Sequence, residues 1–328
     1  MIQFKSVLKD ELVGFLSLRK ASKSISTYDH DRHILKLFDE YLYSIGCDDK
    51  NLAEGQVIGW IGTLTGKNSS IANMVIIIRL FLAHLKGYGV NAYIPPIPKV
   101  NDDYIPYIFS DDEMKLIFSI ADNLQIGKSR KNTLIHVAFP MILRLMCGCG
   151  LRIGETLLLK MKDVDIDNGV LTLKYTKGDK QRLVPMHHSL TDCLMQYCMA
   201  MGIIGYPEAY LFPTSDSMEE PVAVHNARHK FNYILEQGDV FLHGRKKHQR
   251  GPCIHCLRHV FVFKSFANAE EVGRRVDDII PYLSIYLGHD SLKETDKYLK
   301  FSSEMFPDAM KLFDSYTAHI FPEVNFDE

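Results

Sequence analysis

The sequence predicts a mainly α protein with a small β-hairpin or sheet, an α+β chain built in two parts. Three observations lead there. Over residues 4–89 apolar side chains recur at helical spacing, and no credible strand interrupts them. Three prolines then crowd into Tyr93-Ile-Pro-Pro-Ile-Pro-Lys-Val-Asn-Asp-Asp103, a stretch that is extended and unsuited to helix. Further on, a β-rich alternating run at residues 170–175 is answered by residues 182–184 across Lys177-Gly178-Asp179, the pattern of a hairpin.

In chain order, helices are expected over residues 6–20, 26–45, 56–65 and 69–88, separated by Ser, Asn, Gly and Asp turns. They make a small bundle over residues 1–92, with residues 93–105 as linker. The second domain, residues 106–328, opens with Ser110 as N-cap of a helix over 111–121, and a long helix follows over 133–149. After the hairpin come helices over 190–201 and 222–237, and then one over 255–267. Ser291 and Glu294 make a capping-box signature, so a helix is expected just after His289, with Tyr298 in its second turn. Residues 304–316 read as a last helix with Met305, Met310, Leu312 and Phe313 at its apolar positions, ahead of an acidic end.

With 328 residues, of which 46% are hydrophobic, the chain can bury two cores. Its 38 Lys+Arg against 40 Asp+Glu is not the balance of a basic nucleic-acid binder, but the distribution is uneven. Residues 1–100 hold 12 Lys/Arg and 9 Asp/Glu, and residues 240–264 hold Arg245, Lys246, Lys247, Arg250, Arg258 and Lys264 with no acid. The first 20 residues lack a basic segment followed by a long apolar one, so no signal peptide is expected. The most apolar run, residues 71–85, is broken by Asn73, Arg79 and His84, which favours a buried helix over a membrane span. A cytoplasmic chain without membrane association is therefore expected, its seven cysteines reduced.

The densest chemistry lies in Ile254-His255-Cys256-Leu257-Arg258-His259, in Leu287-Gly288-His289, and in Tyr298 nine residues later. On a helix, His255 and Arg258 are i,i+3 neighbours on one face. A guanidinium binds phosphate oxygens bidentately, and a tyrosine can act as a covalent nucleophile once its phenol loses a proton. Together these residues point to phosphoryl transfer to tyrosine without metal. Cys253, His255, Cys256 and His259 resemble a zinc set, yet Cys256 adjoins His255 and points elsewhere on a helix. Gly148-x-Gly150-x-x-x-Gly154 is one residue too long for a dinucleotide fingerprint, and Gly62-x-x-x-Gly66-Lys67 one too short for a phosphate loop. Neither metal nor nucleotide cofactor is expected.

The ordered set H-x-L-R-H, L-G-H and a tyrosine nine residues on resembles the C-terminal signature of the tyrosine recombinases, the phage-integrase family. Upstream, Cys-Gly-Cys-Gly-Leu-Arg-Ile-Gly-Glu-Thr at 147–156 is similar to that family's G-L-R-x-x-E box, with Arg152 and Glu155 in place. Thr-Lys-Gly-Asp-Lys-Gln-Arg-Leu-Val-Pro at 176–185 looks like its lysine-bearing hairpin. The resemblance implies a SAM-like core-binding bundle followed by a tyrosine-recombinase catalytic domain. It implies Arg152, Lys177, His255, Arg258, His289 and Tyr298 as the catalytic set, with Lys180 the alternative to Lys177. Glu155 would orient Arg152, and His259 would be a packed or hydrogen-bonded neighbour.

The implied reaction is site-specific cleavage and rejoining of duplex DNA through a 3′-phosphotyrosyl link, for integration or transposition of mobile DNA. Both domains would hold the DNA, mainly through its phosphates, with Arg245, Lys246, Lys247 and Arg250 as further contacts. Four subunits would assemble on paired sites, exchanging the C-terminal segment. Two departures stand out: a longer interval between Arg258 and His289, carrying the charged residues 270–278, and no extra N-terminal arm-binding domain. A type IB topoisomerase would share the chemistry without needing paired sites, and a non-catalytic DNA-binding relative would have lost Arg152 or Tyr298.

Overall fold

The computed structural model describes residues 4–100, 106–125, 130–174, 181–241, 251–296 and Tyr298. It divides into two compact units, Met1–Tyr104 and Ile105–Glu328. The first is a bundle of α1 (Lys9–Ser22), α2 (Ile25–Ser44), α3 (Glu54–Thr63) and α4 (Asn68–Gly87). α2 starts where it does because Ser24 is extended and its hydroxyl accepts from Thr27 N. Along α2, Ile34, Leu35, Phe38 and Leu42 fall on one face and are buried, and Trp60 of α3 packs edge-on against Phe38 at 5.2 Å. α4 is long and apolar enough to cross a membrane, but its Val75, Ile78, Phe81, Leu82 and Leu85 are buried in the bundle, which is the ordinary reason for such a helix. Tyr93 and Ile94 also pack on this core, and Arg79 donates to the Pro95 carbonyl.

The second unit is built round α6 (Arg130–Cys149), which carries buried Phe139, Ile142, Leu143 and Met146 and packs against α5 (Asp111–Asp122), α8 (His188–Met201) and α10 (Cys256–Glu271). Ser110 and Glu113 close the expected capping box on α5. Between α6 and α8 lie the short helix α7 (Ile153–Leu157) and an antiparallel sheet of β1 (Val164–Asp165), β2 (Val170–Leu173) and β3 (Arg182–Pro185). β2 and β3 pair from Val170↔Pro185 to Leu173↔Arg182. After α9 (Val224–Gln237) and α10 come α11 (Val276–Leu287) and α12 (Leu292–Asp296).

The mainly α architecture with one small sheet is the fold class expected. Its details differ in four places. β1 adds a third strand that two residues could not announce by alternation. α7 starts inside the G-L-R-x-x-E box, too short for helical periodicity to be legible. The charged stretch at 270–278, to which the sequence assigns no element, joins two helices: Glu270 and Glu271 end α10, Gly273 turns at φ 73°, and Asp277 and Asp278 lie in the first turn of α11. α12 ends at Asp296, so Tyr298 follows that helix and does not ride in its second turn. Residues 304–316, the hairpin tip with Lys177, and Arg245, Lys246, Lys247 and Arg250 lie outside the described residues.

One buried carboxylate ties the start of the chain to the first bundle. Asp39, 1% exposed on α2, accepts from Lys5 N at 2.8 Å and Ser6 N at 2.9 Å. Removing it leaves the buried Ser6 N–H and the half-buried Lys5 N–H without their acceptor, so Asp39→Ala is expected to destabilise this unit by roughly 1.5–3 kcal/mol. The single tryptophan, Trp60, sits in the same core, so its fluorescence during urea unfolding of the full chain reports this unit. An unchanged midpoint would show that the clamp contributes nothing.

Candidate active site

The geometry starts at a glycine. α6 stops at Gly150, where φ is 61° and an added Cβ would stand 2.5 Å from the Phe261 ring, so only glycine makes this turn. The turn delivers Arg152 as the residue preceding α7. Glu155, one turn into α7 and with a side chain 3% exposed, accepts from Arg152 N at 3.0 Å and Arg152 Nη1 at 2.9 Å. Burial pushes the Glu155 carboxyl up, but hydrogen bonds from Arg182 and Arg152 outweigh it and hold it at about 2. The Arg152 side chain stays 25% exposed, and its Nη2 donates to Gly288 O at 3.3 Å.

Arg258 lies in the first turn of α10 and is 1% exposed. Its Nη1 donates to Gly150 O at 2.6 Å and its Nη2 to Leu287 O at 2.8 Å. Both acceptors belong to helix C-terminal ends, where unpaired carbonyls favour a cation. Burial, with the neighbouring Arg152 charge, pulls its pKa down to about 10, so it is still protonated at neutral pH. α11 ends in the same place: Gly288 is left-handed at φ 65°, and His289 N donates back to Ser284 O at 3.0 Å. His289 Nδ1 lies 2.7 Å from the hydroxyl of buried Thr295. Burial first, then Arg258, Arg152 and Arg182, push His289 down to about 3, so the ring is neutral.

Tyr298 is 7% exposed, and its ring meets the edge of Phe263 at 5.9 Å. Its hydroxyl lies 2.8 Å from His259 Nδ1, and His259 in turn sits edge-on to His255 at 4.9 Å. Burial, then the His255 ring and Arg258, drive His259 down to about 3. An imidazole this weakly basic is neutral and leaves the phenol proton on oxygen. His255 occupies the residue just before α10, not a position within it.

Arg152, Glu155, Arg258, His289, His255, His259 and Tyr298 are thus brought to one place, where the ends of α6 and α11 meet the starts of α7 and α10. Lys177 lies outside the described residues. Two members of the site were not expected. Arg182 on β3 donates to both oxygens of Glu155, Nη1 to Oε1 at 3.1 Å and Nη2 to Oε2 at 2.8 Å, and through Nε to Tyr286 O at 2.8 Å. Its signal was strand parity: it shares a face with buried Val184, while Leu183 between them is exposed. Thr295, which fixes His289, carries no sequence signal that separates it from a surface threonine. Cys253 and Cys256 have their sulfurs 3.6 Å apart, and no group of three or more His, Cys, Asp or Glu among the described residues is arranged to hold a metal.

Over 244 residues the chain is 30% identical to y4rB of Sinorhizobium fredii, a protein named for integrase/recombinase activity, covering 71% of this chain and 74% of that one. It is 24% identical over 316 residues to the tyrosine recombinase XerA of Pyrococcus furiosus, 94% of each. Its fold is similar to that of the XerH site-specific recombinase, solved bound to a palindromic difH substrate in a post-cleavage complex, with a TM-score of 0.68, 17% identity, and coverage of 90% of this chain and 82% of that one. It is also similar to a lambda integrase dimer bound to a COC′ core site, with a TM-score of 0.65, 14% identity, and coverage of 89% and 76%. The model of the Phage integrase family matches residues 108–304, more than half of the chain and all of the site just described, and by that match this protein belongs to the phage integrase family of tyrosine recombinases.

Proposed function

We propose that this protein is a site-specific DNA recombinase that cuts and rejoins duplex DNA through a covalent link to Tyr298, in the integration or transposition of mobile DNA. The observation that supports it most is a cluster of three guanidinium groups round one carboxylate, with a tyrosine held among the same helix ends. That excess positive charge suits a phosphodiester, whose negative charge grows as the nucleophile attacks. In the proposed step Tyr298 Oη forms a bond to phosphorus, and the bond from phosphorus to the 5′-oxygen breaks. The phenol proton leaves with the help of His255, and the 5′-oxygen takes a proton from Lys177. The 3′-phosphotyrosyl link keeps the energy of the phosphodiester, so a free 5′-hydroxyl of the partner strand rejoins it without a nucleotide cofactor.

Arg152, Arg258 and His289 are the donors to the non-bridging oxygens in this reading. Arg152 is the one whose guanidinium already reaches solvent. Because His259 is so weak a base, the phenol must give up its hydrogen bond to His259 Nδ1 before it attacks. Four subunits would act on two paired sites, with residues 304–316 packed on a neighbour.

Three outcomes are expected. Tyr298→Phe should abolish covalent protein–DNA adducts on a nicked suicide substrate and leave DNA binding nearly intact, since one phenolic oxygen is lost and little packing; an adduct that maps to another tyrosine would sink the assignment. Cleavage by the full chain should continue in excess EDTA, because side-chain cations supply the charge stabilisation; activity lost there and specifically restored by magnesium or zinc would revive a metal mechanism. Deleting residues 303–328 is expected to leave single half-site binding measurable in gel shift and to collapse the paired-site complex. A truncated chain that assembled that complex as well as the full chain would refute exchange of the terminal segment.

A further inference from the structure

Arg182 stands outside the residue set from which the reaction above is built, yet it touches the parts that carry that set. We infer that Arg182 is a positioning residue for this site, whose guanidinium, seated between Glu155 and the end of α11, fixes where Arg152 points and where His289 begins. The inference rests on the proposed reading of Arg152 as a donor to the scissile phosphate.

Glu155 shows how. Its Oε1 takes one bond from Arg152 Nη1 and one from Arg182 Nη1, and its Oε2 one from Arg152 N and one from Arg182 Nη2. A carboxylate has about four acceptor directions, so the two arginines share them equally and neither leaves one open. Without Arg182, two of those directions face a buried space, and Arg152 is the cation next to them. Its guanidinium would turn inward to fill them, away from the exposed edge that an incoming phosphate meets.

The other end of the fork works on α11. Nε of Arg182 donates to Tyr286 O, and a Cβ placed on Gly288 would come within 2.8 Å of Arg182 Nη1. Gly288 thus has a second reason to be glycine besides its left-handed turn: a side chain there would displace the guanidinium. His289 is the next residue. A direct contact between Arg182 and phosphate fits less well, because all three of its guanidinium nitrogens already donate inside the protein, Nη1 and Nη2 to Glu155 and Nε to Tyr286 O. A lysine cannot reproduce the arrangement, since it has no planar fork to span both carboxylate oxygens and a carbonyl at once.

The test compares single-turnover cleavage of a nicked substrate by the full chain and its Arg182→Ala, Arg182→Lys and Arg152→Ala variants. Each is run on a normal scissile phosphate and on one whose non-bridging oxygen is replaced by methyl, a neutral linkage that needs less cationic help. Both Arg182 variants are expected to cleave the normal linkage about 10²-fold more slowly, the scale of a misplaced catalytic group, with half-site binding unchanged. On the methylphosphonate the loss should shrink for Arg182→Ala in parallel with Arg152→Ala. If the alanine variant does not fold, the lysine variant carries the same comparison. Wild-type cleavage by Arg182→Lys would overturn the inference, because charge alone would then suffice. So would a loss at Arg182 that is equal on both linkages while that of Arg152→Ala shrinks. An Arg152→Ala chain that cleaves normally would instead bring down the reading of Arg152 beneath it.

Discussion

The site depends on one buried ion, the carboxylate of Glu155. An ionised carboxyl with a 3% exposed side chain costs several kcal/mol to remove from water, and only dense hydrogen bonding makes it tolerable. It receives four N–H bonds from two arginines, and they hold it ionised down to about pH 2. Because its folded pKa lies below the unfolded value, it stabilises the fold above the ordinary carboxylate range and loses that contribution as pH falls towards 2. It also permits what surrounds it. Three guanidinium groups packed together would repel one another, and a single anion in their midst makes the cluster affordable while leaving it net positive.

The remaining compensation comes from backbone. Gly150 O, Tyr286 O, Leu287 O and Gly288 O all accept from guanidinium N–H groups, and all belong to places where α6 or α11 stops. A helix end has carbonyls without intrahelical partners and a partial negative charge, so it can hold a cation without a second carboxylate. That choice has a chemical consequence. A carboxylate paired to Arg258 would have cancelled its charge, whereas carbonyls leave it whole for an anion that arrives later. Gly150 and Gly288 are the hinges of this design, each left-handed and each with a side chain lying where a Cβ would go.

Much of this was legible in the sequence, for identifiable reasons. The long helices carry strong apolar periodicity, so α2, α4, α6 and α8 were found within a few residues of their ends. Ser110 and Glu113 announced α5 by capping chemistry that acts locally. Arg152, Arg258 and His289 stand out in the sequence as motif residues, and so does Glu155, three residues from Arg152, to which it is hydrogen-bonded. What escaped was set by packing between distant segments. Arg182 owes its role to Glu155, 27 residues away, and to Tyr286 O, 104 residues away. α12 ends before Tyr298 although Ser291 and Glu294 suggest a longer helix, because capping signals mark a start and say nothing of length. The placement of Tyr298 against His259 is likewise a tertiary fact, since 39 residues separate them.

The uncharged residues complete the electrostatic logic. His259 and His289 are both driven to about 3 by burial and by neighbouring charge, so each is neutral throughout the physiological range. For a histidine whose folded pKa is depressed, the unfolded chain binds the proton first, so folding is weakened as pH falls from about 6.5 towards 3. That is a standing cost, and the two rings do different things with it. A neutral His289, its Nδ1 2.7 Å from the Thr295 hydroxyl, adds no further positive charge to the three arginines. A neutral His259 leaves the Tyr298 phenol beside it protonated and buried. The same low-dielectric, cation-rich surroundings therefore leave both imidazoles uncharged, one against the Thr295 hydroxyl and the other against that of Tyr298.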